Sequence, residues 1–269
     1  MTEYSFGFIG TGNMGGALAR AASKRVPGGR ILLSNRTAAK SEALARELGA
    51  RVVGNAAAAR EADFLFLGVK PKDMAELLAS IAPELAMREK PFVLVSIAAG
   101  LSVGRIRELA GWPWPVVVLK PNTPCAVGEG MSFYACSQDV PPDALAALLD
   151  ALAASGRLLP LEEDLMDAAG VVAGCGPAFA DLFLEALADG GVACGLPRKT
   201  AYQAAAQMLL GAAKLALETG EHPGALKDAV CSPGGTTIQG VRALERGGLR
   251  SAVMEAVIAA WEKDRNLKN

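Results

Sequence analysis

Two glycines followed at once by two threonines stand near the end of the chain, in the stretch SPGGTT at residues 232–237. Glycines leave backbone N–H groups accessible, and a helix that begins here adds further N–H groups and the positive end of its dipole. This chemistry suits holding an anion and donating a hydrogen bond to a reacting group. The alternative is a helix cap with a Schellman-like glycine pair and no ligand.

A second glycine-rich stretch, GTGNMG at residues 10–15, opens the chain between an apolar run and a helical pattern. Strand, tight turn and helix are the context that the G-x-G-x-x-G fingerprint requires. The first glycine allows the turn, the second admits a pyrophosphate, and the third lets helix and strand pack closely. We therefore predict a dinucleotide site here, rather than a glycine-rich turn without a ligand.

The second predicted strand ends in Ser34, Asn35, Arg36 and Thr37. A site that prefers NAD usually carries a carboxylate at this point, for the ribose diol. None is present, and Arg36 can pair with a 2′-phosphate while Ser34 and Asn35 donate hydrogen bonds. The sequence therefore predicts NADP(H) over NAD(H). Arg36 as a solvated residue and Thr37 as a helix cap are the alternatives.

Strand and helix patterns alternate through the first half, which predicts a Rossmann-type, doubly wound parallel sheet. Ligands of such sheets lie beyond the carboxyl ends of the strands. The loops expected there are 69–71, 97–99 and 121–124. We expect one or two more strands in GEGMSFYACS, and we expect RLLPLEED at residues 157–164 to lead out of the domain.

The second half carries helical patterns and no convincing strand from about Glu163, with a break expected at Gly176-Pro177. A face of the following helix is apolar, and the helix predicted in 197–220 is apolar on nearly every side. Such a helix is normally buried, which predicts an all-α homodimerisation domain. Packing against the chain's own first domain is the alternative. The expected domains are 1–161, which binds NADP, and 162–269, which dimerises and binds substrate.

Composition excludes several classes of function. The chain has 269 residues, 51% of them hydrophobic, and 27 basic against 28 acidic residues, so no basic excess points to a nucleic-acid partner. Charge-free runs are too short for a membrane span, and no signal peptide is recognisable. Five scattered cysteines and a single histidine, His222, predict a cytoplasmic protein with reduced thiols and no metal site.

These motifs occur in a characteristic order: GFIGTGNMGGAL, SNR, VKP, SIAAG, PNTP, GCGPAFADLFLEALADGGVACGLPR and HPGALKDAVCSPGGTTI. In that order and spacing the whole chain resembles the pyrroline-5-carboxylate reductase family, with the last segment the most specific. The resemblance implies NAD(P)H-dependent reduction of a cyclic imine, 1-pyrroline-5-carboxylate, to L-proline as the last step of proline biosynthesis. It also implies homodimers or larger rings of dimers.

By the same resemblance, residues can be assigned to the two ligands. The cofactor-binding set is Ile9, Gly10, Thr11, Gly12, Asn13, Met14, Ser34, Asn35, Arg36, Asn55, Gly68, Val69, Lys70, Pro71, Ile97, Ala98, Ala99 and Asn122. The N–H groups of Gly234, Gly235 and Thr236 are expected to hold the substrate carboxylate. Thr237 is expected to orient an already protonated iminium, and Ser232 opens the substrate loop.

Two positions depart from the family's usual pattern. Lys120 stands where a methionine is common before PNTP, and Cys175 stands where a serine is common before Gly176. Both bear on which cyclic imino acid is preferred. The rival interpretations are a β-hydroxyacid dehydrogenase, whose active-site lysine has no counterpart here, and a non-catalytic NADP-binding protein.

Overall fold

The computed structural model describes residues 3–266, and contacts divide the chain into two compact units. The first unit comprises the residues up to Gly174 together with the end of the last helix from Lys263. The second comprises Cys175–Glu262. Each unit is described in turn.

The first unit is built on one eight-stranded sheet in the order β3-β2-β1-β4-β5-β6-β7-β8. The strands are β1 (Phe6–Ile9), β2 (Ile31–Ser34), β3 (Arg51–Val52), β4 (Phe64–Leu67), β5 (Val93–Ser96), β6 (Val116–Lys120), β7 (Gly130–Cys136) and β8 (Gly156–Pro160). All neighbouring pairs are parallel except β6 with β7. This confirms the doubly wound sheet, and the order reverses between β1 and β4.

Helices cover both faces of this sheet, which explains why its central strands are continuous apolar runs. The helices are α1 (Asn13–Ala22), α2 (Ala38–Leu48), α3 (Asn55–Glu61), α4 (Met74–Ala86), α5 (Val103–Ala110), α6 (Pro142–Leu152) and α7 (Met166–Gly170). On one face, aromatic rings of β1 and β4 lie side by side, and the Phe8 and Phe66 centroids are 4.3 Å apart. Helices α1, α2 and α6 pack against these rings. Helices α3, α4 and α5 cover the other face.

One expectation for the edge of the sheet is wrong. Residues of RLLPLEED do not lead out of the domain, because β8 pairs in parallel with β7, a single strand formed by GEGMSFYACS. Gly156 makes this possible: its φ is +125°, and a Cβ there would lie 2.1 Å from the carbonyl oxygen of Gly130. The expectation is wrong because the sequence pattern shows neither the positive φ of this glycine nor its close contact with the neighbouring strand.

The expected break at Gly176-Pro177 is also wrong. A single π-helical turn, Val171–Cys175, joins α7 to α8 (Gly176–Ala193). Pro177 lies near the start of α8 and has no N–H, so the helical run continues through the π-turn without a backbone hydrogen bond from this residue. The π-turn therefore replaces the break.

The second unit is helical, as predicted, and no strand occurs between Glu163 and Asn266. After α8 come α9 (Arg198–Thr219), α10 (Pro223–Ala229), α11 (Thr236–Arg246) and α12 (Leu249–Asn266). Helices α8 and α9 approach closely through small residues. A Cβ on Gly191 would lie 3.2 Å from that of Ala201, which is buried.

Large apolar side chains of this unit are exposed in the single chain. Leu182 on α8 is 67% exposed, and Leu210 and Leu217 on α9 are 54% and 59% exposed. By length and composition alone, the helical run Glu163–Ala193 is apolar enough to cross a membrane, and 11% of its most apolar window is buried. The absence of a membrane span therefore stays a prediction.

Candidate active site

The turn between β1 and α1 is tightly constrained by backbone contacts. Gly10 has φ +98°, and a Cβ there would lie 2.4 Å from the carbonyl oxygen of Gly68. A Cβ on Gly15 would lie 2.0 Å from the carbonyl oxygen of Gly10. The first and third glycines of the fingerprint are thus explained by close packing inside the protein.

Gly12 differs from them, because a Cβ there would meet no atom within 4 Å. It is the N-cap of α1, and no side chain caps this helix. The adjacent Thr11 hydroxyl is buried and has no hydrogen-bond partner among residues 3–266, while the Thr11 N–H donates to Asn35 Oδ1 at 3.1 Å. Open space, free helix N–H groups and an unpaired buried hydroxyl together fit a diphosphate.

A cavity of about 600 Å³ extends from this turn along the carboxyl ends of β1, β2 and β4. Its lining contains much of the predicted cofactor set: Ile9, Gly10, Gly12, Ser34, Asn35, Arg36, Asn55, Gly68, Val69 and Lys70. The lining also includes Thr37, Lys40, Asp73, Glu76, Leu77 and Ser80. The remaining predicted residues, Thr11, Asn13, Met14, Pro71, Ile97, Ala98, Ala99 and Asn122, do not line it.

On the β2 side of the cavity, polar side chains hold one another in place. The Ser34 hydroxyl donates to Asn55 Oδ1 at 2.6 Å, and Asn35 Nδ2 donates to the Thr37 carbonyl oxygen at 3.1 Å. Thr37 is the N-cap of α2, yet its side chain makes no capping bond. Its hydroxyl is therefore available to a ligand.

Two cations face this side of the cavity. Arg36 and Lys40 are exposed, and neither forms an ion pair with a residue that the structure describes. Sequence reasoning missed Lys40. Its position in the first turn of the helix that follows the end of β2 was the signal that could have found it.

At the β4 and β5 ends, Gly68 allows the loops to meet. Its N–H donates to the Ile9 carbonyl oxygen at 2.7 Å, and a Cβ there would lie 2.7 Å from the Gly10 carbonyl oxygen. The same Cβ would lie 3.3 Å from Ile97 Cδ1, so Ile97 borders the turn although it does not line the cavity. Ala98 is buried, Ala99 is exposed, and Pro71 begins a short 3₁₀ turn.

Asn122 has a different environment from the other predicted cofactor residues. Its Nδ2 donates to the Ala173 carbonyl oxygen at 3.0 Å, and its Oδ1 accepts from the Met131 N–H at 2.9 Å. The amide thus joins the end of β6 to β7 and the π-turn. A direct contact with the cofactor stays a prediction.

The substrate loop lies in the second unit and forms a tight turn before α11. The Gly235 N–H donates to the Ser232 carbonyl oxygen at 3.0 Å, and Gly234 has φ +71° after Pro233, the arrangement of a type II turn. A Cβ on Gly235 would lie 2.2 Å from Ser232 Oγ. Turn geometry therefore accounts for both glycines without a ligand.

This turn accounts for the two glycines but not for the two threonines that follow them. Thr236 and Thr237 are exposed first residues of α11, and no described side chain caps the helix. Their hydroxyls make no hydrogen bond with a residue that the structure describes. Free N–H groups and free hydroxyls lie together here, as the sequence predicts for an anion and a hydrogen-bond acceptor.

Comparison with known proteins decides the family. Residues 163–267 match a model described as pyrroline-5-carboxylate reductase dimerisation. The chain is 40% identical to a pyrroline-5-carboxylate reductase of Escherichia coli over 268 residues, 98% of each sequence. The chain belongs to the pyrroline-5-carboxylate reductase family. A Synechocystis pyrroline-5-carboxylate reductase is 43% identical over 97% of both sequences.

Solved structures of the pyrroline-5-carboxylate reductase family share the fold along the whole chain. The Coxiella burnetii enzyme superposes with a TM-score of 0.91 at 29% identity, covering 100% of both chains. The Plasmodium falciparum enzyme, solved with NADP bound, gives 0.85 at 30% identity with the same coverage. Residues 5–100 also match a family described as NADP oxidoreductase, coenzyme F420-dependent. The first unit is therefore of an NADP-dependent oxidoreductase type.

Proposed function

We propose that this protein reduces 1-pyrroline-5-carboxylate to L-proline in the cytoplasm, as the last step of proline biosynthesis, with NADPH preferred over NADH. The observation that carries the proposal is identity of 40% over 98% of the chain to a pyrroline-5-carboxylate reductase. The glycine turn with its cavity and the open SPGGTT loop supply the two chemical elements that such a reaction needs. The function is thus supported independently by sequence relationship and by site chemistry.

The preference for NADPH is supported by charge at the β2 end of the cavity. Arg36 and Lys40 face it, Thr37 offers a hydroxyl, and Ser34 and Asn35 stand where a carboxylate would favour NADH. A hydrogen bond to a charged group contributes roughly 1.5–3 kcal/mol. Loss of one cation should therefore weaken NADPH binding about tenfold to a hundredfold.

A bound NADPH would supply the hydride for the imine carbon. This chain's own task is to hold that cofactor and to position the substrate. The glycine turn and the N–H groups at the start of α1 would hold the pyrophosphate, with Asn13 and Met14 in the first turn of that helix. Gly68 to Pro71 and Ile97 to Ala99 would border the nicotinamide ribose.

The substrate is an imine that carries a carboxylate, and the loop offers a group for each. N–H groups of Gly234, Gly235 and Thr236 would bind the carboxylate at the positive end of α11. A hydroxyl is a poor acid, so the iminium should bind already protonated, with Thr237 orienting its N–H. Ser232 opens the loop and packs its hydroxyl against Gly235.

We further propose a homodimer built from residues 162–269, with larger rings assembled from such dimers. Helix α9 exposes Met208, Leu210, Leu215 and Leu217, between 47% and 59% each, and a soluble monomer rarely exposes such an apolar surface. The functional boundary is proposed near 161/162, whereas contacts divide the chain at Gly174, because Met166 of α7 is buried in the core of the sheet. NADP binding is assigned to residues 1–161.

The test is oxidation of NADPH by the purified protein with 1-pyrroline-5-carboxylate, with NADH in parallel. We expect rapid loss of NADPH, slower loss of NADH and formation of L-proline. The matched variant T237V should bind NADPH unchanged and lose about 100-fold in kcat, the usual effect of removing one oriented hydrogen-bonding group. Binding of NADPH without turnover by wild-type protein would instead favour a sensing role, and turnover only with other cyclic imines would change the substrate.

A further inference from the structure

The carboxyl end of β6 holds the segment Met166–Cys175 through two polar side chains. Lys120 Nζ and Asp167 Oδ1 are 2.6 Å apart, with side chains only 15% and 24% exposed. Two residues further on, Asn122 donates to the Ala173 carbonyl oxygen. We call these two contacts the β6 clamp. It links one strand end to both α7 and the π-turn.

The lysine stem is also packed against the segment. A Cβ on Gly170 would lie 3.1 Å from Lys120 Cδ and 3.5 Å from Nζ, so glycine at this position leaves room for the lysine. Met166 and Val171 are buried, whereas Val172 is 60% exposed. The segment therefore has one face fixed in the core and one face open.

The position of β6 in the sheet indicates which part of the proposed site lies closest to the exposed face of this segment. The glycine turn follows β1, and Asn55 and Arg36 line the cavity on the β2 side, where the proposed site would hold the adenosine. A dinucleotide that crosses the switch point then extends its other end toward the carboxyl ends of β4, β5 and β6. The π-turn is tied to the last of these strand ends, and single π-turns are frequent at functional sites.

We propose that Lys120 is a positioning residue for hydride transfer, acting through Asp167 and the π-turn rather than by touching the cofactor. This inference rests on the proposed function. A partly buried ion pair adds little net stability, but it restricts the distance between the two elements that carry its partners. The clamp thus fixes the π-turn against the nicotinamide end of the site.

The first measurement is hydrogen–deuterium exchange of the protein without cofactor. In K120M, peptides covering residues 166–175 should exchange faster than in wild type, while peptides of β4 stay unchanged. K90M, which removes an exposed lysine from the same unit, is the matched control and should alter neither. If residues 166–175 exchange in K120M as they do in wild type, the claim that the β6 clamp holds this segment is wrong.

The second measurement is kinetic. K120M should bind NADPH as tightly as wild type, lose roughly tenfold to a hundredfold in kcat, and show a larger isotope effect with NADPH deuterated at the transferred position. K120R should recover part of the loss, because it keeps a cation opposite Asp167. K120M with wild-type kcat, or K120R no more active than K120M, would contradict the positioning role. Lack of turnover by wild type would instead refute the proposed function.

Discussion

Two glycines of the fingerprint, three residues apart, should respond oppositely to the same substitution. A Cβ on Gly12 would project into open space in the cavity, and its backbone, at φ −71° and ψ −162°, suits alanine. A Cβ on Gly15 would lie 2.0 Å from the Gly10 carbonyl oxygen, far inside contact distance. G12A should therefore spare the fold and damage binding, and G15A should damage the fold itself.

The magnitudes follow from these environments. G12A should leave the melting temperature of the free protein within about 4 °C, since it adds no clash and reduces unfolded-state freedom by at most about 1 kcal/mol. G15A forces the β1–α1 turn apart and should cost about 2–4 kcal/mol, a loss of roughly 4–16 °C. NADPH affinity should fall at least about tenfold in G12A, because the added methyl occupies the space proposed for the pyrophosphate.

The assay is thermal unfolding with and without NADPH, combined with a fluorescence titration of NADPH. Wild type should be stabilised by the cofactor as mass action requires, and G12A should lose most of that stabilisation at the same concentration. The reasoning fails if G12A binds NADPH like wild type, or if G12A unfolds earlier than G15A when no cofactor is present.

Three further changes test other parts of the structure. R36A should raise KM for NADPH about tenfold to a hundredfold and leave KM for NADH unchanged, and an equal effect on both would refute the 2′-phosphate assignment. L210D should give a smaller particle by light scattering, whereas an unchanged mass would place the dimer contact elsewhere. R88M should lower the free energy of unfolding by about 2–4 kcal/mol in a denaturant titration. Arg88 donates to the Ala59 and Ala62 carbonyl oxygens at 2.8 and 2.5 Å, and burial of its guanidinium lowers its pKa. A variant as stable as wild type would contradict this role.

Sequence predicted the parts of the fold that local pattern controls. The G-x-G-x-x-G turn, the parallel sheet and the helical second half all follow from periodicity and glycine spacing, and the structure and the family confirm them. Strand β8 was missed because its register depends on a single glycine with positive φ, Gly156. The π-turn was missed because an inserted residue in a helix leaves no distinct pattern, and a Gly-Pro pair resembles a break.

Site residues could be predicted where they directly follow a recognisable strand end or motif. Residues that reach the cavity from other helices were harder to predict. Ser34, Asn35 and Arg36 follow directly from the end of β2. Lys40, Asp73 and Glu76 reach the same cavity from helical positions and depend on how α2 and α4 pack. Asn122 shows the converse: a polar residue in a predicted site loop uses both the nitrogen and the oxygen of its amide in hydrogen bonds inside the protein.

The most direct test of the central claim follows the hydride itself. Purified protein is supplied with 1-pyrroline-5-carboxylate and NADPH deuterated at the transferred position, and the product is analysed by mass spectrometry and NMR. The account predicts L-proline that carries one deuterium on the former imine carbon. Proline without deuterium, or NADPH consumed without proline, would contradict it.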